Sequence, residues 1–172
     1  MRKGIFATLF VSIVSFTILQ ACSKIPCYPA SHFKPPAKAN YKAEEIRLKA
    51  PAGHTLVGTL TMPSDRPPPH PAVVLITGSS PQNRDMMGHW AWPACKYRPF
   101  RQIADALSRN GIAVLRMDDR GYGCSEGGPL RDATTVERAD DNRAMVDFLR
   151  NRSEIDPSRI GILGLSEGGN IG

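Results

Sequence analysis

Short apolar runs and amphipathic stretches alternate along most of the chain. The run Ala72-Val73-Val74-Leu75-Ile76, a second at residues 112–115 and a third at residues 160–165 are each four to six residues long, which fits strands covered on both faces. Between the first two, Phe100, Ile103, Ala104 and Leu107 recur at helical spacing, and Gly111 supplies a stop. Between the second and third, Thr134 with Glu137 three residues on forms a capping box that opens a helix to about Arg150. Upstream, residues 44–49 and 55–62 alternate apolar with polar positions around Ala52-Gly53, the pattern of a hairpin. Strand, helix, strand, helix, strand with right-handed crossovers predicts an α/β fold whose parallel sheet is preceded by an antiparallel hairpin. Ligands of such sheets gather beyond the carboxyl ends of the strands.

The amino terminus follows a different pattern. Arg2 and Lys3 precede fifteen residues, 5–19, that are apolar except for Thr and Ser; this is short for a membrane span and reads as an export signal. It ends in Leu19-Gln20-Ala21-Cys22, which resembles the lipobox of bacterial lipoproteins. That resemblance implies removal of residues 1–21 and attachment of several acyl chains at Cys22, enough for stable membrane binding. Ser23 after the cysteine implies the outer membrane, facing the periplasm. An ordinary cleaved signal is the alternative. Residues 22–40 carry Pro26, Pro29, Pro35 and Pro36 without apolar periodicity, so an extended tether is expected there. The folded domain is expected to span residues 41–172.

Composition changes this picture little. The 172 residues include 22 basic and 16 acidic side chains, a formal charge of +6, yet no Lys/Arg run exceeds two residues, so no nucleic-acid partner is expected. No C-x-x-C pair points to a metal, and no cofactor is expected. Three cysteines besides Cys22 leave room for one disulfide in an oxidising compartment, with three unpaired thiols as the alternative. Cys95 with Cys124 is the expected pair, because both fall in loops at one end of the sheet.

The chemistry lies directly after the third buried run. Gly164-Leu165-Ser166-Glu167-Gly168 matches G-x-S-x-G between a strand and a helix, where the tight turn needs glycines and forces the serine into a strained, exposed conformation. Ser166 is therefore the candidate nucleophile, and the backbone N–H of Glu167 the candidate oxyanion donor. Together with residues 56–60, 78–85, 98–100 and 118–123 plus Ser125, this motif makes residues 44–172 resemble the α/β-hydrolase superfamily. The branches it is similar to are the dienelactone-hydrolase and prolyl-oligopeptidase-like ones. The resemblance implies hydrolysis of a small-molecule ester or related acyl bond. It implies a second oxyanion donor at the backbone N–H of Ser79 and a bracing role for the loop from Asp118 to Gly123. Arg84 and Asp85 fall near the cleft, also as braces. The aromatic set His89, Trp90, Trp92 and Tyr97 is a candidate substrate-pocket lining.

A serine needs a histidine and a carboxylate to act at neutral pH, and in this superfamily both follow the serine. His32, His54, His70 and His89 all precede Ser166, so the acid and base are expected beyond residue 172, in a sequence cut after the nucleophile. The chain alone is then expected to be inactive, with its third parallel strand an exposed apolar edge prone to aggregation. A catalytically inactive lipoprotein that keeps part of the fold is the competing reading.

Overall fold

The computed structural model describes residues 27–87 and 97–172. The lipobox with Cys22, and Cys95, His89, Trp90 and Trp92, lie outside them. Five strands form one sheet: β1 (Tyr41–Lys49), β2 (Thr55–Pro63), β3 (His70–Ile76), β4 (Ala113–Met117) and β5 (Ile155–Gly164), in the spatial order β1-β2-β4-β3-β5. β1 and β2 are the antiparallel hairpin, and β2 joins the rest antiparallel to β4. β3 runs parallel to both β4 and β5, so three carboxyl ends lie side by side at one rim of the sheet. β5 begins at Ile155, five residues before the apolar run, because Ile155 pairs with His70 and is buried. Pro157 hides this extension from the sequence pattern, yet a strand at the sheet's edge can carry a proline. On that edge Ile162 and Leu163 are 46% and 38% exposed.

Two helices cover the two faces. Helix α1 (Pro99–Arg109) buries Phe100 and Ala104 against Leu75 and Val114. Helix α2 (Thr135–Arg150) buries Met145 and Leu149 against Val74, Ile76 and Leu115 on the other face. Alternation along β3 explains the split, since successive side chains of a strand point to opposite faces. The capping box is present: Thr134 Oγ1 accepts from the Glu137 amide at 3.2 Å, and Glu137 accepts from the Thr134 amide at 2.8 Å. Among the described residues no helix is long and apolar enough to cross a membrane.

Two expectations are corrected. The disulfide joins Cys27 to Cys124, not Cys95 to Cys124. The reason is that the proline-rich stretch does not hang free. From residue 28 it lies along the domain, with a 3-10 turn at Ala30–Phe33 and Phe33 only 4% exposed. The Phe33 ring sits 4.2 Å from the Arg84 guanidinium, and Arg101 donates to the carbonyls of His32 and Lys34. This segment is a strap, and the extended tether expected over residues 22–40 does not extend through it. Apolar periodicity could not reveal it, because one buried aromatic and a set of backbone carbonyls do the docking.

Candidate active site

Residues after β3, β4 and β5 build the site at the shared rim. β5 ends at Gly164 and the chain turns at once into a single 3-10 turn, Ser166–Gly169. Where a helix is expected to open at Ser166, the described residues form this 3-10 turn. Ser166 has φ +54°, a left-handed conformation rare for a residue with a side chain. The flanking glycines show why the turn holds. A Cβ on Gly164 would collide with the backbone of Gly168 and Gly169, and one on Gly168 would collide with the Thr77 carbonyl and lie 2.6 Å from that of Ile76. The Leu165 amide donates to the Ile76 carbonyl at 3.0 Å, which ties the turn to the end of β3. Ser166 is exposed.

The loop after β3 faces this turn. A Cβ built on Gly78 would stand 3.4 Å from Ser166 Cβ and 3.8 Å from its Oγ. The backbone of residues 78–79 is therefore adjacent to the serine, with Gly78 buried and Ser79 exposed. Asp119, after β4, holds the first part of the loop at two points. One carboxylate oxygen accepts from Thr77 Oγ1 at 2.5 Å and the other from the Gln82 amide at 2.8 Å. Burial pushes the Asp119 carboxyl up to about 7, against these hydrogen bonds and the Arg138 charge, which pull it down.

Arg138 on α2 was not singled out by the sequence, and it touches both sides of the site. Its guanidinium donates to the Gly78 carbonyl at 2.8 Å and pairs with the Glu167 carboxylate at 2.6 Å. A signal existed: Arg138, Asp141, Met145 and Leu149 form one buried stripe of α2, and two charges on an otherwise apolar stripe need partners. Asp141 pairs with Arg120 at 2.7 Å and lies 3.2 Å from His54 Nε2. A cavity of about 40 Å3, lined by Thr77, Asp119, Arg138 and Asp141 among others, lies beneath the rim.

A second charged set stands behind the loop. The Arg84 side chain, fully buried, donates twice to Asp118, with Nε to Oδ1 at 3.0 Å and Nη2 to Oδ2 at 2.8 Å, and once to the Gly58 carbonyl at 2.8 Å. Asp118 also accepts from the amides of Arg84 and Cys124. Asp85 pairs with Arg116 at 3.2 Å and Arg98 at 3.6 Å. Tyr97, the one described member of the aromatic set, is 52% exposed. Among the described residues no group of His, Cys, Asp and Glu could hold a metal ion.

Comparison with known proteins bears on the fold. The family described as serine aminopeptidase, S33, matches residues 95–172. An uncharacterized protein, YfhR, of Salmonella typhimurium is 26% identical over 168 residues, covering 98% of this chain and 51% of its own length. A thiohydrolase, aneE, of Aspergillus aculeatus is 41% identical over 66 residues, 38% of this chain and 21% of that protein. Among solved structures, the α/β-hydrolase GrgF of Penicillium sp. sh18 superposes with TM-score 0.57 at 24% identity, over 75% of this chain and 39% of its own. A Pyrococcus furiosus esterase superposes with TM-score 0.56 at 21% identity, over 86% of this chain and 46% of its own. The chain spans about half the length of the YfhR relative, and less of the others.

Proposed function

We propose that this chain, an α/β-hydrolase by fold, carries the nucleophile and oxyanion elements of a serine hydrolase acting on ester or related acyl bonds. The observation that supports this reading most strongly is Ser166 itself: exposed, at φ +54°, two residues beyond the glycine that ends a parallel strand, and against Gly78. In the proposed reaction Ser166 Oγ attacks the acyl carbon, and the backbone N–H groups of Glu167 and Ser79 receive the oxygen that becomes negative. Such amides are worth most when they are held in place before charge develops. The ester alcohol leaves after taking a proton, and water then releases the acid from the acyl-enzyme. A histidine and a carboxylate must move these protons, and we assign them to the part of the relatives that this chain does not span.

The name of the aneE relative favours an acyl bond as the target, and the family description adds an amide as a candidate. An ester is preferred, since an exported protein would rarely meet an acyl-CoA thioester. We also propose that lipid on Cys22 attaches the protein to the outer membrane on its periplasmic side. Radiolabelled palmitate incorporation lost in Cys22→Ala tests the anchor, and unchanged incorporation would remove it. Fluorophosphonate labelling of the intact protein tests the reaction. Labelling is expected, and it is expected to vanish in Ser166→Ala. An intact protein that takes no label favours the inactive lipoprotein instead.

A further inference from the structure

Both proposed oxyanion donors meet one side chain. The Gly78 carbonyl and the Ser79 N–H belong to the same planar peptide and point in opposite directions. Fixing the carbonyl oxygen therefore fixes the amide. Arg138 Nη2 donates to that oxygen at 2.8 Å, while Nη1 holds the Glu167 carboxylate at 2.6 Å. Glu167 is the residue whose own N–H is the other donor. The guanidinium is a rigid planar fork, so its two arms set one spacing between the loop after β3 and the turn after β5. Arg138 is 8% exposed, and its charge beside a carbonyl oxygen also polarises the peptide, which strengthens the N–H on the far side.

We infer that Arg138 is a positioning residue for the oxyanion hole, setting the direction of the Ser79 amide and the seat of the Glu167 amide together. This rests on the reading of Ser166 as nucleophile. A residue that acts this way affects the transition state and leaves ground-state binding nearly untouched. Lysine at the position keeps the charge and only one of the two contacts.

The test uses the intact protein with p-nitrophenyl butyrate as substrate. In Arg138→Gln, kcat per folded molecule should fall about 10- to 100-fold with KM within about twofold, a smaller effect than deletion of a donor. Arg138→Lys should recover part of the loss. Glu167→Gln, which keeps the Gly78 contact and changes a side chain 31% exposed, should fold normally and lower kcat about threefold. A loss confined to melting temperature, or one confined to KM, would overturn the inference. A crystal structure of Arg138→Gln supplies a readout independent of turnover. The Gly78–Ser79 peptide is expected to rotate, and an unchanged peptide overturns the inference even if the wild type hydrolyses nothing. Absence of fluorophosphonate labelling in the wild type is the separate failure of the parent reading.

Discussion

Two buried arginines hold the loop after β3, Arg84 from within it and Arg138 from α2, and they are not equivalent. Arg84 is sealed in: its partners are Asp118, the Gly58 carbonyl and Thr59, and Phe33 lies over it. Arg138 reaches toward the rim and holds a carboxylate that solvent can touch. The first ties strand ends together behind the site, whereas the second ties the two backbone segments that face Ser166. A buried guanidinium is thus no measure of function by itself. What decides is whether the group it holds must be in a particular direction during a reaction, or only out of water.

The largest effect expected is on stability, at the sealed site. Arg84→Met leaves Asp118 as a buried carboxylate without its cation, and should cost about 3–5 kcal/mol in urea unfolding. Turnover per folded molecule should stay within about twofold. Adding Asp118→Leu should recover more than half of the stability; no recovery would mean that the amides of Arg84 and Cys124, and not charge pairing, govern the site. Next comes the strap. Cys27→Ser opens a cross-link of 97 residues' separation and should cost about 2–4 kcal/mol. If that loss were absent from Arg84→Met, the strap and the arginine would be one cooperative unit. Arg138→Gln should cost only about 1–2 kcal/mol, because one partner is neutral backbone and the other is partly exposed. A stability loss as large as that of Arg84→Met would erase the contrast between the two.

The smallest effect is a pH dependence at Asp119. Its folded-state carboxyl is raised from 3.8 to about 7, so the folded protein keeps a proton that the unfolded chain has already released. Stability should therefore fall as pH rises from about 4 to about 7 and level off above. The change attributable to this group is on the order of 1 kcal/mol between about pH 5 and about pH 7, allowing for solvent that still reaches it. Asp119→Asn should flatten that slope. An unaltered slope would mean that the carboxylate is ionised at neutral pH at no cost.

Local signals carried most of the fold. The β3 run, the Thr134–Glu137 box and the glycines flanking Ser166 depend on neighbours within a few residues, so their meaning survives without the rest of the molecule. Arg138 does not, because its partners are 60 and 29 positions away in Gly78 and Glu167. The Cys27–Cys124 link was illegible for a related reason, since it joins positions 97 apart and lies at the start of a strap that docks through Phe33 on Arg84. Asp118 and Asp119 announced themselves as braces through their loop motif, but only coordinates assign Arg84 to one and the loop after β3 to the other.

The strap also sets a length. Cys124 follows β4 at the rim where Ser166 follows β5, and Cys27 is bonded to it. Five residue-to-residue steps lead from Cys22 to Cys27, and a fully extended chain covers at most about 3.6 Å per step, so the leash is roughly 18 Å at most. If acyl chains on Cys22 were seated in a bilayer, as proposed, such a leash would moor the protein by the rim that bears Ser166, the proposed nucleophile, and not by its far side. Molecules dissolved in the membrane surface would then meet Ser166 by diffusion in two dimensions.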